Sequence, residues 1–159
     1  MEPESNSPSA PNEIDSGTPV RQISVFLPNR VGALLSIVKL LQDRSIAVLG
    51  ISVQDSVDVT LVRLVTSDPD SVAAVFMERG IAYASADLLV AELKEGAEGL
   101  PSCLEVLLEA ETNIHFIYPL LNRPNGRAAI ALYLEDNFFG RSVLVRNAIK
   151  ILCQEDLSR

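Results

Sequence analysis

The 159-residue sequence has no tryptophan, one histidine and two cysteines, and basic residues are few. Its 13 Lys and Arg stand against 21 Asp and Glu, which gives a formal net charge of −8. Proteins that bind nucleic acid or an anionic membrane surface need clustered Lys and Arg, so this charge balance argues against both partners. No stretch approaches the roughly 18 apolar residues that would span a bilayer. We therefore expect no nucleic-acid partner and no membrane partner.

The scarce cysteine and histidine also limit the possible chemistry. Cys103 and Cys153 lack metal-ligand spacing and are typical of a reducing compartment without a disulfide framework. His115 lies in a predicted strand with no cysteine or acidic residue at ligand spacing, so a structural role is favoured. The sequence contains no phosphate loop, nucleophile elbow, zinc-protease motif or dinucleotide fingerprint. These absences predict no catalytic residues, no metal, no cofactor and a cytoplasmic location.

The first 19 residues differ in composition from the rest of the chain. They contain Glu2, Glu4, Glu13 and Asp15 without any Lys or Arg, and they are rich in proline and serine. Such a segment cannot bury enough apolar surface to offset the entropy lost on ordering. It also lacks the basic start and apolar run of a signal peptide. We predict a disordered acidic tail over residues 1–19.

After this tail, short segments alternate between the periodicities of strands and helices. Strict alternation predicts a first strand, and apolar residues at i, i+3, i+4 and i+7 predict the helix that follows. The predicted elements are a strand from Val20 to Leu27, a helix from Ala33 to Arg44, a hairpin of Ile46 to Val53 and Val57 to Thr66, a helix from Asp68-Pro69 to Gly80, and a strand from Ile81. The order is βαββαβ.

The same order of elements then repeats. The shift that places Leu27 on Leu93 also places Leu34 on Leu100 and Leu41 on Leu107, and the apolar helix face recurs. No linker separates the halves, because residues 81–93 form one extended stretch. The sequence therefore predicts an α+β fold of two tightly fused βαββαβ repeats, residues 20–86 and 87–157.

Several short motifs carry a resemblance to a known family. The run from Val25 to Leu34 resembles the opening of an ACT domain, with a strand, an Asn, a turn with Gly and a Leu entering the helix. Ser45 to Val48 resembles the passage from helix to second strand in that family, and Glu111 to Ile114 is similar in the second copy. Residues 20–157 thus look like a stand-alone tandem ACT protein. This resemblance implies ferredoxin-like repeats, antiparallel sheets with helices on one face, and binding of amino acids.

The first strand-to-helix loop is the main candidate for a ligand site. A loop ending in Gly32 exposes backbone N–H groups at a helix N-terminus, where partial positive charge favours a carboxylate. Asn29 can bind an amine or a carboxylate, and Arg30 can bind a carboxylate if it turns inward. The candidate residues are Asn29, Arg30, Val31, Gly32, Ala33 and Leu34. The alternative is an ordinary turn in which Asn29 caps the helix and Arg30 is solvated.

The equivalent loop of the second repeat is a weaker candidate, formed by Glu95, Gly96, Glu98, Gly99 and Leu100. Glu98 stands where the first loop has Gly32, although Gly99 can take over the turn. Both glutamates suit a helix N-terminus, and for the same reason they repel an incoming carboxylate. We expect this loop to be structural or to select a different ligand.

Two further features predict association with other chains. Ile46 to Val53 carries no charge, and Asn113 to Leu121 carries only His115, so these edge strands are expected to pair with a symmetry mate in a homodimer. For Phe138 and Phe139, two interpretations are open. One ring packs inward while the other covers the end of the sheet, or the pair contacts a second chain.

Three functional hypotheses follow. The first is a regulatory module without catalytic activity that binds a small amino acid and transmits the signal through association. The second is a small regulatory subunit of an amino-acid biosynthetic enzyme such as acetolactate synthase, and the third is a scaffold that has lost ligand binding. An RNA-recognition fold has the same element order, but it requires paired aromatic residues on central strands, and Val57 to Thr66 has none.

Overall fold

The computed structural model describes residues 17–28 and 32–158. The elements are β1 (Val20–Pro28), α1 (Ala33–Asp43), β2 (Val48–Asp55), β3 (Val59–Thr66), α2 (Pro69–Glu78), β4 (Tyr83–Leu93), α3 (Leu100–Glu109), β5 (Ile114–Pro119), β6 (Ala128–Leu134), α4 (Asn137–Arg146), β7 (Ile151–Leu152) and α5 (Gln154–Leu157). Short 3₁₀ turns at Gly96–Gly99 and Pro124–Gly126 precede α3 and β6. Of the predicted tail, residues 1–16 lie outside the described residues.

The predicted fold class is confirmed. All strand pairs are antiparallel, and the sheet order is β2-β3-β1-β4-β6-β5, with β7 also paired to β4. The 11-residue β4 belongs to both repeats, because its first part pairs with β1 and its second part with β6 and β7. Each repeat thus has the strand order of a ferredoxin-like unit, and the shared strand fuses the two.

Equivalent aspartates begin the second helix of each repeat. Asp68 accepts a hydrogen bond from the Ser71 N–H at 3.1 Å, and Asp136 accepts one from the Phe139 N–H at 2.9 Å. Each bond satisfies a backbone donor that has no partner within the helix. The caps set where α2 and α4 start, so both helices enter at matching positions against their sheets.

The helices of each repeat cover one face of that repeat's strands, as predicted. Ile37 and Leu41 of α1 pack with Phe76 of α2 against the first sheet. Cys103 and Leu107 of α3 belong to a separate core on the second sheet. The alternating strands place their apolar residues toward these helices.

The opposite faces of the two sheets pack on each other, which the sequence pattern did not predict. This central core contains Val20, Leu49, Val65, Leu88, Val90, Tyr118, Ala129, Ala131, Leu152 and Leu157. Within it the Tyr118 hydroxyl donates a hydrogen bond of 2.7 Å to Oε1 of Gln22, and burial raises the pKa of Tyr118. A partnered hydroxyl and amide can be buried at little cost, so the bond fixes the two sheets against each other.

The two strands predicted to be open edges contact each other within one chain. The Leu121 N–H donates to the Leu49 carbonyl at 2.6 Å, and Gly50 forms a bridge with Leu120. A Cβ at Gly50 would lie 2.7 Å from Cδ2 of Leu120, so glycine permits this close approach. The sheet therefore curls until its ends meet at one point, and part of each edge is occupied without a second copy.

The C-terminal segment corrects one predicted element. The repeated element order predicts a last strand from Ala148 to Cys153. The strand is only Ile151–Leu152, because Asp156 accepts a hydrogen bond from the Cys153 N–H and starts α5. Gln154 of α5 donates through its backbone N–H to the Thr18 carbonyl at 2.8 Å and through its side chain to the Thr66 carbonyl at 3.0 Å. The end of the second repeat is thereby attached to the first.

Across residues 17–28 and 32–158, no helix has the length and apolarity needed to cross a membrane.

Candidate functional site

The structure places part of the first candidate loop. Asn29, Arg30 and Val31 lie outside the described residues, whereas Gly32, Ala33 and Leu34 form the start of α1. Gly32 is exposed, and Ala33 and Leu34 are half-buried. The described half of the loop is therefore accessible at the helix N-terminus.

In the part of the chain that the structure describes, nothing covers the helix start at Gly32. Gly32 has a φ of 87°, a left-handed conformation that suits glycine, and it has no side chain with which to cap α1. The first helical bond runs from the Ser36 N–H to the Gly32 carbonyl at 2.9 Å, so the N–H groups of Ala33 to Leu35 lack an intrahelical acceptor. Among the described residues, no atom beyond its chain neighbours lies within 4 Å of where a Gly32 Cβ would stand. These donors can accommodate an anion such as a carboxylate.

The second candidate loop has a different start. The 3₁₀ turn Gly96–Gly99 precedes α3, and the Leu100 N–H donates to the Ala97 carbonyl. Pro101, in the first turn of α3, has no N–H. Glu95 and Glu98 are exposed. This helix start therefore offers fewer backbone donors and more negative charge than α1.

A cleft of about 380 Å³ nevertheless lies beside this second loop. Its lining includes three basic residues, Lys94, Arg127 and Lys150, and the acidic Glu92 and Glu95. Nη1 of Arg127 is 2.9 Å from Oε1 of Glu92, and the Glu92 side chain is only 5% exposed. The cleft presents both charge signs and can accommodate a ligand that carries both an amine and a carboxylate.

Sequence reasoning identified Glu95 and Gly99 of this cleft but missed Glu92, Arg127 and Lys150. A signal was present, because Glu92 interrupts the otherwise apolar run of residues 88–93. An acidic residue in a buried strand requires a partner. The partner, Arg127, immediately precedes β6, far along the chain, so only the pairing of β4 with β6 reveals it.

Cys103 lines this cleft and belongs to the helix-side core of the second repeat. It is 1% exposed, and burial raises the pKa of its thiol. The thiol therefore stays protonated at neutral pH, which does not suit a nucleophile. Within the described part of the chain, no group of three or more His, Cys, Asp and Glu could hold a metal.

The remaining singled-out residues lie away from both loops. His115 is exposed on β5, and its ring centroid is 5.9 Å from that of Tyr133. Phe138 is 88% exposed and Phe139 is 41% exposed, so neither ring is buried in a core. Phe138 lines another cavity, of about 360 Å³, between the start of α4, β7 and the middle of β4.

The fold and its two strand-to-helix loops agree with one family of proteins. The sequence model of the ACT domain pair matches residues 18–159, and the chain belongs to this family. The resemblance read from the loop motifs is thus confirmed. No curated protein matches the chain.

Solved structures share this architecture. Protein BT0572 from Bacteroides thetaiotaomicron is 21% identical with a TM-score of 0.80, covering 90% of this chain and 98% of its own. The ligand-free regulatory subunit of aspartate kinase from Thermus thermophilus is 12% identical with a TM-score of 0.57, covering 82% and 93%. Aspartokinase alpha and beta subunits are 16% identical with a TM-score of 0.52, covering 79% and 90%. At these identities the likeness is one of fold.

Proposed function

We propose that this ACT domain pair is a regulatory module without catalytic activity that binds a small amino acid at the N-terminus of α1. The observation that carries the proposal is the helix start itself: Gly32 leaves it uncapped, and residues 33–35 contain no acidic side chain. The ligand carboxylate receives hydrogen bonds from the N–H groups of Ala33 and Leu34. Asn29 and Arg30 lie outside the described residues, and the sequence alone assigns them to the amine and the carboxylate of the ligand.

The cleft beside the second loop is a second candidate position for the same class of ligand. Lys94 and Lys150 supply positive charge for a carboxylate, while Glu95 supplies negative charge for an amine. Glu92 and Arg127 already form an ion pair with each other, so we assign them to the wall of the cleft and not to ligand binding. We assign this cleft the weaker affinity, because Glu95 and Glu98 oppose an anion at the start of α3.

We propose that ligand binding is signalled to other protein chains through association. The fold likeness to a regulatory subunit of aspartate kinase supports an amino-acid biosynthetic enzyme as the partner, with aspartate kinase a better first test than acetolactate synthase. We propose that the module works as a homodimer. The two unpaired thiols, Cys103 and Cys153, suit the reducing cytoplasm.

A thermal-shift screen of the proteinogenic amino acids with the full chain tests the proposal. A ligand that binds only the folded state stabilises it by about 2.7 kcal/mol at a hundredfold excess over Kd, which raises Tm measurably. We expect at least one amino acid to raise Tm at millimolar concentration, with its D-enantiomer as control. If no amino acid does so, amino-acid sensing is wrong and the scaffold hypothesis replaces it.

A further inference from the structure

One end of the first sheet carries an apolar surface, on the face away from the helices, that the described residues leave partly exposed. Phe26 pairs with Leu61, and Pro28 pairs with Val59, on the neighbouring strands β1 and β3. Side chains of paired residues, and of residues two apart on one strand, share a face. These four residues, which we call the open sheet face, are therefore contiguous. Phe26 is 67% exposed and Val59 is 41% exposed.

The open sheet face continues the surface along which the two repeats pack. Further along the same strands and on the same face, Gln22 pairs with Val65, and both are buried against the second repeat. Arg63 marks the boundary, where its guanidinium carbon lies 4.1 Å from the ring centroid of Phe116. Beyond Arg63, Phe26 and Val59 are exposed, so the described part of the second repeat leaves this end of the first sheet largely open. The buried interface between the repeats thus ends at Arg63, while the apolar residues of β1 and β3 continue on the same face.

The second repeat handles the equivalent position differently. The alignment that places Leu27 on Leu93 places Phe26 on Glu92, and the β6 residue paired with Glu92 is Ala129. Glu92 has Arg127 as a partner, so that end of the second sheet carries an ion pair. The fold therefore accepts charge at this position. A phenylalanine exposed to water where the sister repeat has a glutamate indicates that another surface covers it.

We propose that the open sheet face binds the same face of a second copy of this chain across a two-fold axis. This inference rests on the homodimer in the proposed function, and it names the surface through which the two copies bind. A second sheet on this face extends the sheet-on-sheet packing that already joins the repeats. None of the four residues is charged, so the face can meet itself without opposing like charges at its centre. The strands predicted to form the dimer meet within the chain, where Gly50 of β2 forms a bridge with Leu120, the residue after β5.

Light scattering of the full chain across a micromolar dilution series tests this surface. The wild type should show twice the chain mass of 17.2 kDa. Phe26→Ser and, separately, Leu61→Ser should weaken dimerisation at least about thirtyfold, as truncation of an interface anchor does. Phe138→Ser removes a more exposed phenylalanine at another place, and loss of the dimer in this variant but not in the other two would overturn the proposal. Ile117→Ser tests the edge of β5 instead.

A wild type that stays monomeric overturns the proposal, and so does a dimer that survives both Phe26→Ser and Leu61→Ser. Loss of the dimer in Ile117→Ser but not in those variants would also overturn it and assign the interface to the strand edge. Circular dichroism should show that each variant is folded. Amino-acid binding by Phe26→Ser should equal that of the wild type, so failure of the dimer surface and failure of ligand binding are distinguishable.

Discussion

The two repeats share their element order and differ at the start of their first helices. In the first repeat, α1 begins at Gly32, which has no side chain to cap it, and no described atom beyond its chain neighbours lies within 4 Å of where a Gly32 Cβ would stand. In the second, a 3₁₀ turn, Pro101 and two glutamates occupy the equivalent start, and an ion pair borders the cleft beside it. The same fold thus allows two different helix starts, and the one in the second repeat carries more negative charge.

The largest predicted effect concerns how far the repeats are independent. Leu64 and Leu132 are each 0% exposed, in the helix-side cores of the first and second repeat. Each change to alanine should lower the free energy of unfolding by about 2–5 kcal/mol. Because β4 is shared and the sheets pack together, both variants should still unfold in one transition by urea denaturation and calorimetry.

The control for this prediction is the wild type under identical conditions. A second transition in either variant, with half of the circular dichroism signal retained between the two, would show that the repeats fold separately and that the central core does not couple them.

The next prediction compares two ion pairs, one in each repeat. Arg127→Ala leaves the Glu92 carboxylate buried without its partner and should cost about 1–3 kcal/mol of stability by urea denaturation. Arg21→Ala is the matched control, because its pair with Asp70 is solvent-exposed and should be worth under about 1 kcal/mol. Adding Glu92→Gln to Arg127→Ala should restore part of the loss. Equal costs for the two arginines would contradict the assignment of Glu92 as a buried charge.

The smallest prediction concerns the features that the repeats share. Asp68→Ala and Asp136→Ala each remove an N-cap and should cost about 1 kcal/mol at neutral pH. Hydrogen bonds from Ser71 lower the pKa of Asp68 below its ordinary 3.8. The capping carboxylate therefore stabilises the fold fully above pH 3.8, and this contribution is lost as pH falls through the lowered pKa.

Urea titrations of the wild type and Asp68→Ala at neutral pH and at successively lower pH values check this. Their difference in stability should shrink only below about pH 4. A difference that is constant down to the lowest pH would mean that the carboxylate is not the cap.

Local patterns were sufficient to predict most of the fold. The alternation in β1, the spacing of Ile37 and Leu41, and the Asp68-Pro69 start of α2 are determined by neighbours in sequence. The repeat was visible because both copies keep the same apolar helix face. The ACT motifs depend on the same short-range features, which is why the family could be recognised.

The packing of one repeat on the other could not be predicted in this way. Two contacts join the repeats, Tyr118 with Gln22 and Leu121 with Leu49, and their residues are distant in sequence. Arg127 and Glu92 are also distant in sequence, although both lie in the second repeat. Strand periodicity shows that a residue faces away from the helices, but not whether another sheet covers that face. For the same reason the cleft beside the second loop was missed, and the exposed Phe26 could not be distinguished from the buried Gln22.

Calorimetric titration tests whether an amino acid binds at the start of α1. Three proteins are titrated with the amino acid that most raises Tm. These are the wild type, Gly32→Val, and the control Gly80→Val, which strains a second left-handed glycine with open surroundings at the end of α2. We expect about one site per chain in the wild type and unchanged affinity in Gly80→Val. Gly32→Val should bind the amino acid at least about tenfold more weakly. Binding of wild-type strength in Gly32→Val would contradict a site at the start of α1.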